Sequence, residues 1–224
     1  SYLQLESVNN NYVGKLEIRT RLFGRLGAGS RLPYESLLYM AGASPEEQME
    51  NKYTRSIGIV PTDWQGISRY DVNHFQQGGG LNLRGYAGYY APDEHNGRLL
   101  TGYKGRSGAA ANVEISFENY MPWQPKLFKK WLHANVYAFG DAGIMELSNY
   151  TTTNFHRIAP TNILSTLHVD AGLGTAFTIK NWGVFEKAKP LTIRIDFPVF
   201  LNRPPYNNSQ YTTLRYVVGI NRAF

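Results

Sequence analysis

The chain has 224 residues, with 23 lysines and arginines against 17 aspartates and glutamates, a formal charge of +6. It has no cysteine, which excludes disulfide scaffolds, thiolate metal centres and cysteine nucleophiles. The basic excess alternates in sign along the chain instead of forming a stripe, which argues against a nucleic-acid module, and no run of about 18 apolar residues offers a transmembrane helix. The opening Ser1-Tyr2-Leu3-Gln4 has neither the charged nor the apolar region of a signal peptide, so a leader has been removed or the chain is a piece of a longer one.

Two-residue alternation dominates, and helical periodicity is poor. Tyr2 to Ser7 reads as the end of a strand. Along 12–26, Leu16, Ile18, Thr20 and Leu22 oppose Glu17, Arg19, Arg21 and Arg25. A less regular strand is expected over 32–41, after a tight connection at 27–31. Along 108–120, Ala109, Ala111, Val113 and Ile115 oppose Asn112, Glu114 and Ser116. Along 131–147, Leu132, Ala134, Val136 and Ala138 oppose His133, Asn135, Tyr137 and Asp141. Strands over 166–180, 191–200 and 211–224 follow. Their polar faces carry His168, Asp170, Arg194, Asp196 and Arg215. The segments 148–165 and 201–210 read as surface loops, and 42–107 as one long loop holding Trp64 and Tyr70.

A soluble sandwich also alternates. Three features favour a barrel in lipid. The segments run ten residues or more, against about 5–6 for an average globular strand. Their polar faces mix carboxylates, arginines and glycines, as an ion-paired lumen would. Trp123, Phe128 and Trp131 gather in one connection, and Trp182 and Phe185 in another, like an interfacial aromatic belt. Lipid offers no partner for backbone polar groups, so a spanning sheet has to close. The expected fold is therefore all-β, an antiparallel transmembrane β-barrel.

The long loop contains Gly78-Gly79-Gly80-Leu81-Asn82-Leu83-Arg84-Gly85-Tyr86. No Gly-Lys-Ser/Thr follows, so this is no phosphate loop. It resembles the loop signature of the outer-membrane assembly and secretion barrels (the bacterial surface antigen family), which include the barrel-assembly insertase and the two-partner secretion transporters. The matching tetrapeptide is Leu83-Arg84-Gly85-Tyr86. Further similarities come in the family's order: Glu114 on the next strand, then Phe139-Gly140-Asp141-Ala142-Gly143, an Asp-Ala-Gly-Leu-Gly strand at 170–174 and a Pro-Leu-x-Ile-x-Ile-x-Phe-Pro strand at 190–198. The chain ends in Phe224 with Gly219 five residues before it, like the terminal signal read by barrel-assembly machinery. Arg222 departs from that signal, and the insertion 43–75 lengthens the loop ahead of the Leu-Arg-Gly-Tyr motif.

The resemblance implies that residues 1–224 are the C-terminal part of a barrel of about sixteen strands. It also implies that Arg84 folds back onto Asp141 and Glu114, beside Phe139 and Gly143. The implied work is inserting or translocating proteins at the outer membrane, with lipid, the assembly machinery and client proteins or accessory subunits as partners. The alternatives are a membrane anchor for a larger surface or periplasmic enzyme of metallopeptidase type, and a passive pore. No catalytic constellation, cofactor or nucleic-acid partner is expected. His133 and His168 on neighbouring strands lack the third donor that a zinc site needs. His74, His95 and His156 fall in loops, and Arg194 with Asp196 reads as a lumen charge pair.

Overall fold

A computed structural model describes residues 1–29, 33–51, 54–55, 75–120, 131–149, 160–180, 190–204 and 210–224. Trp64, Tyr70, His74, Trp123, Phe128, His156, Trp182 and Phe185 lie outside the described residues. In chain order the strands are β1 (Tyr2–Val13), β2 (Leu16–Gly27), β3 (Leu38–Tyr39), β4 (Phe75–Gln77), β5 (Pro92–His95), β6 (Arg98–Thr101) and β7 (Lys104–Gly105). They continue with β8 (Gly108–Ser116), β9 (Leu132–Asn149), β10 (Pro160–Leu164), β11 (His168–Ile179), β12 (Leu191–Leu201) and β13 (Val217–Ile220). A short helix, α1 (Pro45–Glu50), and 3-10 turns at Tyr34–Ser36 and Arg84–Tyr86 complete the described elements.

The fold is all-β. One curled sheet has the order β1-β2-β8-β9-β11-β12-β13-β4. Every step along it is antiparallel until the last, where β4 lies parallel to β13. A sheet of this order needs only hairpins and one long excursion, between β2 and β8, and that excursion folds across one face.

The two faces differ in kind. On the covered face Arg21, Arg84, Asn112, Glu114, Asp141, Asp170, Arg194 and Asp196 are all buried. On the open face Leu3, Leu5, Leu22, Leu26, Leu173, Leu214 and Tyr216 are all exposed. The apolar core lies where the excursion packs on the sheet. Leu37, Leu38, Tyr39 and Met40 pack with Leu81, Leu83, Tyr86, Tyr103 and Met145.

Four sequence expectations are corrected. The strand expected from residue 12 begins at Leu16, because a turn at Gly14 (φ +62°) reverses the chain and makes β1 a full twelve-residue partner of β2. The strand expected over 32–41 is a 3-10 turn followed by the two-residue β3. Its amides serve the excursion, with Met40 N donating to Tyr103 O and Tyr39 O accepting from Leu81 N. Part of the expected surface loop 148–165 is β10, which extends the ladder of β9. The last strand stops at Ile220, where Asn221 takes a left-handed conformation (φ +61°).

Candidate functional site

The excursion returns to the sheet through Gly78 to Tyr86. Its anchor at the other end is α1, whose amino terminus is closed reciprocally. Ser44 Oγ accepts from Glu47 N, and Glu47 carboxylate accepts from Ser44 N. The same Glu47 carboxylate also accepts from Gly80 N at 3.2 Å, tying the helix to the glycine run. From there Leu81 and Leu83 sink into the core, and the next residue is delivered to the sheet with no exposure at all.

Arg84 Nε and Nη2 donate to the two oxygens of Asp141 at 2.8 and 3.0 Å, and Nη1 donates to Glu114 Oε1 at 2.6 Å. Its own backbone N–H adds a longer bond to Asp141 Oδ2 at 3.3 Å. The guanidinium lies 3.9 Å from the centre of the Phe139 ring. This is the bidentate geometry that a planar fork allows and a lysine does not. Burial alone would pull the Arg84 pKa down. Asp141 and then Glu114 more than offset it and hold the pKa well above its ordinary value, so the group stays charged.

The neighbours of Arg84 follow from its fit. A β-carbon on Gly85 would stand 2.7 Å from Asp170 Cβ, so only glycine lets the turn approach β11 so closely. Tyr86 donates to Asn202 Oδ1 at 2.9 Å and meets the His168 ring edge-on, centroids 4.9 Å apart. Gly143 lies beneath Leu83, where a β-carbon would stand 3.4 Å from Leu83 Cδ1. The structure thus brings Leu83, Arg84, Gly85 and Tyr86 together with Glu114, Phe139, Asp141 and Gly143. Gly219 and Phe224 are elsewhere: Gly219 is paired to Gln76 across β13 and β4, and Phe224 lies 5.8 Å under the Arg19 guanidinium.

The pairing extends to both margins of the sheet. Asn112 Nδ2 donates to Asp141 Oδ1 at 3.0 Å, and Asn112 Oδ1 accepts from Nη1 of Arg21, whose Nε donates to Glu6 on β1 at 2.6 Å. On the other side Arg84 Nη1 is 3.9 Å from Asp196, which pairs with Arg194 at 2.7 Å, and Arg194 reaches Gln76 Oε1 on β4 at 3.1 Å. Alternation already puts Arg21, Asn112, Arg194 and Asp196 on polar faces. Their convergence depends on register, which one sequence does not display. Nothing in the sequence signals Gln76.

The two strand histidines do not converge. His133 faces Glu118 at 2.7 Å near one end of the β9–β11 ladder, and His168 stands opposite Gly143 at the other. Among the described residues no group of three histidine or acidic side chains is arranged to hold a metal. No protein-family model matches the chain, and no curated protein or solved structure matches it either.

Proposed function

We propose that this chain is the C-terminal part of an outer-membrane β-barrel of the protein assembly and translocation superfamily, which inserts or translocates proteins at the outer membrane of a Gram-negative bacterium. The observation that carries the reading is Arg84. A loop arginine with no exposure, forked onto Asp141 and Glu114 of two adjacent strands, is the arrangement the Leu-Arg-Gly-Tyr resemblance implies. The leucines of the opposite face support it, since lipid is the surrounding that favours them there. Its partners on this reading are outer-membrane lipid, the machinery that assembles barrels, and client proteins. The work is mechanical, with binding and strand pairing in place of bond chemistry.

The test is reconstitution into vesicles of outer-membrane lipid, with folding of an unrelated small barrel protein followed by its heat-modifiable gel mobility. The expected result is faster folding of that protein with the chain present than with lipid alone, and loss of the gain in Arg84→Ala. A chain that integrates without accelerating folding is an anchor, and one that conducts ions steadily is a pore. Either outcome overturns the insertion reading.

A further inference from the structure

One buried acid has no part in the fork. Asp170 lies on β11 with no exposure, and neither of its oxygens has a hydrogen-bond partner among the described residues. Most buried polar side chains are bonded, so a bare carboxyl group at this depth requires a cause. Register sets it directly opposite Asp141 on β9. The loop shuts it in, since a β-carbon on Gly85 would stand 2.7 Å from Asp170 Cβ and 3.2 Å from Leu201 Cδ2.

The elements packed around Asp170 bring it no cation of its own. β9 presents Asp141, and β12 presents Leu201 in register with Asp170. The loop presents Arg84 and Tyr86. Arg84 is committed, its Nε and Nη2 to Asp141 and its Nη1 to Glu114 of β8, so two carboxylates already share one guanidinium. The Tyr86 hydroxyl donates to Asn202 Oδ1. On β11 the same face carries His168, whose Nδ1 meets Thr166 O at 2.9 Å. Farther off, Arg203 faces Asp93 at 4.0 Å, and Arg194 pairs with Asp196 at 2.7 Å.

An ionised Asp170 would be a third carboxylate on one guanidinium, stripped of water and opposite a like charge. Both conditions favour the neutral acid. Among the described residues no three acidic or histidine side chains are arranged for a metal, and the cation that needs no coordination shell is a proton. Asp141 fixes where that proton sits. Its oxygens accept from Arg84 Nε, Nη2 and N and from Asn112 Nδ2, which uses up the roughly four acceptor sites of a carboxylate. Protonating Asp141 would cost it a donor, whereas protonating Asp170 displaces nothing.

We propose that Asp170 is a proton-binding site, filled when the loop is docked, so that seating Gly85 against β11 takes up one proton. The acid form lets the turn close over Asp170 without adding a second uncompensated negative charge beside the fork. In an unfolded chain an aspartate gives up its proton at about pH 4. Above that the folded chain holds one proton more than the unfolded chain. Stability therefore falls as pH rises, by about tenfold in the folding equilibrium per pH unit, and levels off once the folded acid ionises as well. The site belongs to the loop and is independent of the insertion reading.

The test uses the full chain in detergent micelles, its aspartates isotopically labelled at the side-chain carboxyl carbon, beside Asp170→Asn, whose amide has the shape of the protonated acid. Infrared spectra at neutral pH read the carbonyl stretch of a protonated carboxyl group, which lies above the amide and carboxylate bands. Expected is a label-shifted band of this kind in the wild type and its absence from Asp170→Asn. Urea unfolding from about pH 5 to about pH 9 should show the wild type losing ground to Asp170→Asn by about tenfold per pH unit until the acid ionises. No labelled band at neutral pH, a band that persists in the variant, the same pH slope in both proteins, or failure of the uncharged Asp170→Asn to fold each overturns the site. Neither readout follows the folding of a second protein, so failure here is distinct from a failure to accelerate folding in vesicles.

Discussion

The two faces of the sheet invert the usual arrangement of a soluble protein. The covered face hides Arg21, Arg84, Arg194, Asp141, Asp170 and Asp196, while the open face exposes Leu5, Leu22, Leu26 and Leu214. Charged side chains are almost never fully buried unless paired, and large apolar patches are rarely left in water. The covered face meets the first condition for Arg21, Arg84, Arg194, Asp141 and Asp196 through its fork and register contacts, while the buried Asp170 carboxylate stands opposite Asp141 with no hydrogen-bond partner among the described residues. Among the described residues nothing covers the leucines of the open face. What the difference teaches is that one face is solved by internal pairing and the other by its surroundings, so the two should respond to opposite kinds of substitution.

The sharpest break is on the covered face. Arg84→Ala leaves Asp141 and Glu114 without the cation they share, and removing one partner of a buried pair costs about 3–5 kcal/mol. The expected outcome is loss of the heat-modifiable folded band, or a large fall in unfolding midpoint in micelles. Arg84→Lys should rescue little, because one ammonium does not reproduce three bonds. The matching break on the open face is Leu173→Arg. In lipid a midplane arginine costs about 2–4 kcal/mol, falling toward zero near the interfaces. In water the same change should cost almost nothing, so equal stability of Leu173→Arg in micelles and in buffer would remove lipid from the account of that face.

A smaller effect tests the margin. A β-carbon on Gly219 would stand 2.5 Å from Gln76 O and 2.6 Å from Arg194 Nε. Overpacking of this kind costs about 1–3 kcal/mol. Gly219→Ala should therefore lower the urea midpoint modestly, with the change confined to β4 and β13 in hydrogen-exchange maps.

How much of this was legible depends on which forces set each part. The long ladders were legible, because β8, β9, β11 and β12 each place a polar and an apolar face with period two. The motif residues were legible through their resemblance alone, since four residues carry no periodicity. The interior of the excursion was not. Leu37 to Ala41 looks like a longer irregular strand, and shortens to the buried two-residue β3 because Tyr103 and Leu81, far along the chain, take the hydrogen bonds of Met40 and Tyr39. Asp170 is the instructive case. Alternation puts it on the polar face, but its position directly opposite Asp141 is a fact of register between strands.

The finest distinction separates Tyr86 from the arginine beside it. The Tyr86 phenol donates to Asn202 Oδ1 at 2.9 Å, and the same oxygen accepts from Val169 N at 2.7 Å. Tyr86→Phe therefore removes one bond without orphaning its acceptor, and a net hydrogen bond is worth about 0.5–1.5 kcal/mol. The ring contact with His168 survives the change, which keeps the cost at the low end. Burial, and next the charge of Asp170, raise the Tyr86 pKa above its ordinary value, so the phenol still donates in mildly alkaline buffer and the wild-type advantage should persist there. Asn202→Ala should cost more, because Val169 N and Leu167 O lose their partner as well. Unfolding midpoints in micelles should rank wild type above Tyr86→Phe and Tyr86→Phe above Asn202→Ala. The reverse order would mean that Tyr86, and not the amide beneath it, holds this side of the loop to β11.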